Sequence, residues 1–322
     1  MTTRRKSAKK TKAAKKTTKK TAKKSTKKST QKSTKSAKKA VKSKPSPRRS
    51  PRAALAVATS SKQSTPRRVA ALAEVPLAVC DNVEDLNSLL TILRDRNEPI
   101  KVRLAALQSL QAASFSVIAF ESCRPDYLAA LREVVDDPDP ELRQRVLGIL
   151  ARENDSYVQQ RLLDGLQNPE KALVPPEKAL QLLSYDVHAE SYSVARDIVN
   201  NPPNPEAKRA ALRILAADPN SAGVFEKLFT DKDESREVRQ ISAGALQAMK
   251  PRRFQERARQ LLLDKDEYDD IQATALTALT QFGDEKVVGQ DQELMNQVDK
   301  LGKGKSAQVK KTARRFLMRY KA

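Results

Sequence analysis

Lysine pairs recur every four residues near the start of this chain: Lys15-Lys16, Lys19-Lys20, Lys23-Lys24 and Lys27-Lys28, separated by Thr, Ser or Ala. A further pair, Lys38-Lys39, lies outside that register, Arg48-Arg49 follows Ser46-Pro47, and Arg67-Arg68 follows Thr65-Pro66. An ammonium is a compact point charge and a guanidinium a planar fork of donors, so both residue types bind phosphate oxygens. Small spacers let an extended strand lie close to a phosphate backbone without demanding a base sequence. A Ser/Thr-Pro turn followed by paired arginines presents guanidinium groups from a compact bend, which suits a narrow A-T minor groove. The chemistry on offer is electrostatic binding of a polyanion. Covalent chemistry has little to work with. His188 is the only histidine, which excludes an HExxH pair and a zinc-histidine cluster, and its expected role is that of a structural residue in a helical hairpin, with no triad expected around it. The eight glycines all follow Leu147 and form no Walker or dinucleotide loop. Cys80 and Cys123 make neither a disulfide framework nor a four-ligand zinc site. No catalytic, cofactor-binding or metal-binding residue is expected.

The cations belong to a sharply uneven charge distribution. The first 70 residues hold 26 Lys or Arg and no acid; of 62 bases and 39 acids in the chain, the remainder therefore keeps 36 bases against 39 acids. The net charge of +23 lives in one terminal arm, whose natural partner is a polyanion. From Met1 to Lys44 the only apolar side chains larger than Ala are Met1 and Val41. Such a segment cannot offset its conformational entropy by burial, and the expectation is a disordered tail over residues 1–72. Residues 4–70 resemble the C-terminal tails of linker histones and the Ser-Pro-basic repeats of sperm-type histones. That resemblance, one of composition and short motif, implies sequence-nonspecific DNA binding, with RNA as the competing polymer. Six to ten phosphate contacts would make affinity fall about 10³- to 10⁵-fold between 50 and 200 mM salt. Ser46, Ser50 and Thr65 precede proline, and phosphate there would subtract local positive charge, a release switch in expectation.

Beyond Ala73 acids, leucines and helix-spaced apolar residues appear together, and nothing alternates as strands do. A segment type repeats there: an aliphatic-basic pair, then Ala and Leu at helical spacing. It begins as Val102-Arg103 with Ala106, Leu107 and Leu110, and returns at Leu142-Arg143, Ala207-Lys208, Val238-Arg239, Ile271-Gln272 and Val309-Lys310. A degenerate copy around Pro175 fills the long gap, giving spacings of 40, 33, 32, 31, 33 and 38. Helical partners lie between, such as Val83 to Leu93 and Tyr157 to Leu166. The pattern resembles HEAT repeats of the armadillo superfamily, in which Asp-Pro, Val-Arg and Ala-Ala-Leu mark the second helix; Asp137-Pro138 and Asp233 fit it well. The resemblance implies an all-α fold over residues 73–322: a right-handed α-α solenoid of about seven HEAT-like hairpins, whose concave surface holds a protein partner. Equivalent arginines such as Arg103, Arg143 and Arg239 then form a structural ladder to turn acids and carbonyls of adjacent repeats.

The last unit departs from this neutral pattern. From Gly302 to Ala322 there are eight bases and no acid. On a helix starting near Ser306, Val309, Ala313, Phe316, Leu317 and Tyr320 share one face, while Lys310, Lys311, Arg314 and Arg315 spread over the other. Those four cations are read either as a solvated cap or as a second phosphate-contacting patch acting with the arm. Taken together, the residues describe a non-enzymatic intracellular scaffold tethered to DNA by its tail and carrying an unidentified protein. Its site is the nucleus in a eukaryote and the nucleoid or cytoplasm in a bacterium, with no membrane partner. The alternatives are a protein-interaction or transport-type HEAT module whose tail binds RNA or acts as a targeting signal, and a HEAT-like enzyme acting on nucleic acid.

Overall fold

The computed structural model describes residues 50–75, 79, 82–187 and 189–321. Among these, all regular secondary structure is helical. The helices pair along the chain as α1 (Pro51–Thr59) with α2 (Thr65–Leu72), α3 (Val83–Arg94) with α4 (Ile100–Ser114), and, after a short α5 (Val117–Phe120), α6 (Arg124–Glu133) with α7 (Pro140–Arg152). The series continues as α8 (Ser156–Gln167) with α9 (Pro176–Leu183), α10 (Ala189–Asn200) with α11 (Pro205–Leu215), and α12 (Ala222–Thr230) with α13 (Arg236–Met249). It closes as α14 (Pro251–Leu263) with α15 (Asp269–Phe282) and, across a short α16 (Glu285–Gln290), α17 (Gln292–Gly302) with α18 (Ala307–Tyr320). Each second helix packs on the second helix of the next pair, from α2 through α4, α7, α9, α11, α13 and α15 to α18. This is an all-α solenoid of HEAT-like hairpins.

Local chemistry sets the helix starts. Asn82, Asp139, Asp155, Asn204, Asp291 and Ser306 each accept a hydrogen bond from a backbone N–H of the first turn they cap. Pro51, Pro140, Pro205 and Pro251 occupy first-turn positions where the missing N–H has no cost. Turn aspartates punctuate the ends of first helices: Asp95, Asp137, Asp231 and Asp264 each accept from the N–H two residues on. The core between helices is aliphatic, with Phe120, Phe225, Phe229, Phe254 and Phe316 enclosed and Phe229 stacked on Phe254 at 5.4 Å. Small residues such as Ala207 and Ala211 let neighbouring helices approach closely.

The folded body begins earlier than the charge pattern suggests. Residues 51–72, expected to belong to the tail, form α1 and α2, an eighth hairpin that buries Ala54, Leu55, Ala58, Ala71 and Leu72. The cations there hid an amphipathic pattern, because composition averaged over 70 residues is dominated by the lysines of the first 44. Of the 26 cations before the first acid, Glu74, 22 precede residue 50, and the other four, Arg52, Lys62, Arg67 and Arg68, belong to this first hairpin.

Candidate nucleic-acid interface

The repeated basic position of the second helix is consumed by the fold. Arg103 donates from Nε to the Leu93 carbonyl at 2.9 Å and from Nη2 to Asp137 at 2.6 Å. Arg239 repeats this with the Phe229 carbonyl at 3.0 Å and both oxygens of Glu267 at 2.8 and 2.6 Å. In both cases the carbonyl lies ten residues back, at the end of the first helix of the same hairpin, and the carboxylate lies in the turn of the next repeat. Lys208 does the equivalent with Glu234. Arg143 meets the degenerate repeat, where that acid is missing, and donates instead to the carbonyls of Leu173 and Asp137 at 2.7 and 2.6 Å. From Arg103 to Arg239 the row is a structural ladder whose cations are spent on carbonyls and carboxylates of the fold.

Arg68 is the first rung of the same ladder, and its expected role on nucleic acid is corrected. It is 4% exposed, donates from Nε to the Ala58 carbonyl at 2.7 Å, and forms a bidentate pair with Glu98 at 2.7 Å for each bond. Its neighbour Arg67 points outward from α2, exposed and with no side-chain partner among the described residues. The Ser-Pro and Thr-Pro motifs here start helices: Ser50 caps α1 by accepting from the Ala53 N–H, and Thr65-Pro66 opens α2. The remaining tail candidates, Lys15, Lys16, Lys19, Lys20, Lys23, Lys24, Lys27, Lys28, Lys38, Lys39, Arg48 and Arg49, lie outside the described residues.

Helix α18 carries its apolar face as its sequence predicts, with Val309, Ala313 and Phe316 buried and Leu317 and Tyr320 half-buried against α15 and α17. Tyr320 donates to the Leu279 carbonyl at 2.6 Å, and burial raises its phenol pKa. This approach needs Gly283, since a Cβ there would stand 2.5 Å from both the Leu279 carbonyl and the Tyr320 hydroxyl. Arg319 donates to the carbonyls of Thr280 and Gln281, and Lys303 and Lys321 pair with Asp299. Lys310, Lys311, Arg314 and Arg315 make no ion pair or side-chain hydrogen bond among the described residues. At 100° per residue they cover an arc of about 140°. Two i,i+4 pairs of like charge, Lys310 with Arg314 and Lys311 with Arg315, repel by about 0.2–0.5 kcal/mol each. Compensation of the helix dipole explains cations in a last turn, but Lys310 and Lys311 lie near the start of α18 and Arg314 and Arg315 in its middle. The patch is therefore a cluster of like charges with no partner among the described residues. Lys310 holds the ladder position of its repeat and has no carboxylate opposite it.

The sequence pattern did not single out Arg145, Arg152, Lys178 and Tyr185, which meet on the second-helix face. Arg145 and Arg152 lie on α7, Lys178 on α9 and Tyr185 two residues beyond its end, so the group is assembled by the packing of the two hairpins. Among the described residues no group of His, Cys, Asp and Glu is placed to hold a metal, and no helix is long and apolar enough to cross a membrane.

The family model described as HEAT repeats matches residues 86–181, spanning α3 to α9. That stretch is a HEAT-repeat segment, and such repeats generally mediate protein–protein interaction. No curated protein matches the chain.

Proposed function

We propose that this protein is a non-enzymatic HEAT-type scaffold held on DNA by its cationic N-terminal arm, with helix α18 as a second phosphate-contacting surface and the solenoid free to carry a protein partner. The observation that carries the reading is charge placement. Residues 50–322 balance 40 bases (62 − 22) against 39 acids and the ladder cations Arg68, Arg103, Lys208 and Arg239 are paired with turn acids, whereas the first 49 residues hold 22 bases without one acid and α18 clusters four bases with no partner among the described residues. The arm supplies affinity through counterion release and carries no base readout. Because both surfaces belong to one chain, engagement of one raises the local concentration of the other. This reading puts the protein inside the cell, with the genome.

The test compares the full chain with residues 50–322 on duplex DNA, single-stranded RNA and acidic lipid vesicles across a salt series. A steep salt dependence on duplex DNA that collapses when residues 1–49 are removed supports the tether. Residual binding by residues 50–322 should lose about 3.6 from the log–log salt slope when Lys310, Lys311, Arg314 and Arg315 become Gln, at about 0.9 per phosphate contact. Full-length affinity for duplex that is indifferent to salt, or matched by acidic vesicles, refutes the proposal.

A further inference from the structure

Arg145 and Arg152 of α7 and Lys178 of α9 gather around a cavity of about 280 Å³ on the second-helix face. Three glutamines share its wall, Gln111 from α4, Gln144 from α7 and Gln181 from α9, and no Asp or Glu does. Each glutamine offers an amide donor and acceptor, which suits sugar hydroxyls and base edges as well as phosphate oxygens. Gly148 leaves part of the floor without a side chain. Tyr185 stands at the edge with half its surface open, and the Arg152 guanidinium lies 6.0 Å from its ring centroid.

These cations differ from those of the ladder. The only acid bonded to any of them among the described residues is Glu141, which meets Arg145 at 2.7 Å in an exposed i,i+4 pair. Such pairs are worth little, so Arg145 can turn to a stronger anion. Lys178 donates only to the neutral Gln181 amide, at 3.1 Å. The cluster falls where the repeat is degenerate, α9 being eight residues long and lacking a ladder arginine. Adjacent helices pack about 8–10 Å apart, so cations from α7 and α9 can grip neighbouring phosphates of one strand. A half-open aromatic ring beside them can stack on a base only if that base is unstacked, and a duplex hides its base faces.

We propose that the α7–α9 cavity is a binding subsite for the backbone and one unstacked base of a single-stranded nucleic acid, with Arg145, Arg152 and Lys178 on the phosphates and Tyr185 on the base. The inference rests on the reading of this chain as a nucleic-acid binder and adds a second, strand-selective site to it. A single strand engages both features at once, its phosphates on the cations and a base on the ring, whereas an acidic peptide engages the cations alone.

The experiment uses the full chain, oligothymidylate and a duplex of equal length. The triple variant Arg145→Gln/Arg152→Gln/Lys178→Gln should lower the log–log salt slope on the single strand by about 2, at roughly 0.7 per contact, and change the duplex slope little. Tyr185→Ala should weaken single-strand binding by about five- to 100-fold, with Tyr185→Phe near wild type. Photocrosslinking of 5-iodouracil strands should label the peptide holding Tyr185, a readout independent of variant folding. Slopes equal in wild type and triple variant, or crosslinks that avoid Tyr185, overturn the inference while leaving the arm's role intact. A flat wild-type slope would instead sink the arm's role. Displacement of the strand by polyglutamate, with Tyr185→Ala indifferent, would assign the cavity to an acidic peptide and also overturn it.

Discussion

Arg239 and Glu267 form the most enclosed rung of the ladder, both side chains 0% exposed, and the consequences of breaking it can be worked from the geometry. Replacing Arg239 by Met keeps most of the stem volume but strands the Glu267 carboxylate among buried groups and leaves the Phe229 carbonyl without its side-chain donor. Removing one partner of a buried ion pair destabilises by about 3–5 kcal/mol, since desolvation of the other charge is no longer compensated. Converting both residues, Arg239→Met with Glu267→Leu, should recover most of that loss, because burying two charges is itself unfavourable. Arg96, paired with Asp136 at 3.5 Å with both side chains more than half exposed, is the control; Arg96→Met should change stability by less than about 1 kcal/mol. Solenoids need not unfold as one unit, so the assay is native-state hydrogen exchange on α13 and α15. The single variant should raise local opening by about 10² to 10⁴, the double variant by far less. Equal protection in Arg239→Met and Arg96→Met would refute the claim that the ladder couples adjacent repeats.

Three further outcomes follow from other contacts. Arg68→Gln should destabilise the α1–α2 hairpin by about 3 kcal/mol while Arg67→Gln leaves stability unchanged, a contrast readable by thermal melts of the full chain. Gly283→Ala should cost about 1–3 kcal/mol by crowding the Leu279 carbonyl and forcing the Tyr320 hydroxyl off it, with loss of exchange protection in α18 and at the end of α15; unchanged protection there would contradict the packing. The Asp291 carboxyl is held below the usual carboxylate range by its bond from Arg259, against burial, with help from the backbone N–H of Leu294. The stability it contributes is whole above the ordinary carboxylate pKa of ~3.9 and is lost as pH falls through the lower folded value. Asp291→Asn should therefore lower stability at neutral pH and flatten the decline below about pH 4, as measured by urea melts at several pH values.

Much of the fold can be read along the chain because each repeat writes its own caps and apolar stripe locally. Asp137-Pro138 announces a turn between helices, Asn204 and Ser306 announce helix starts, and Ala and Leu at helical spacing after Arg103 or Arg239 announce second helices. Arg68 shows where this fails. Its neighbours Thr65, Pro66 and Arg67 read as a phosphate-binding bend, and only the position of Glu98, thirty residues on, turns it into a buried rung. The same holds in reverse for Arg145, Arg152, Lys178 and Tyr185, separated along the chain yet joined at one cavity.

By itself the sequence determines that a polycationic arm precedes an α-helical repeat body, because charge and periodicity are properties of neighbouring residues. Which cations remain available to a ligand is decided by tertiary structure alone. A guanidinium is spent or free according to whether a carboxylate from another repeat reaches it, and that depends on how the hairpins stack.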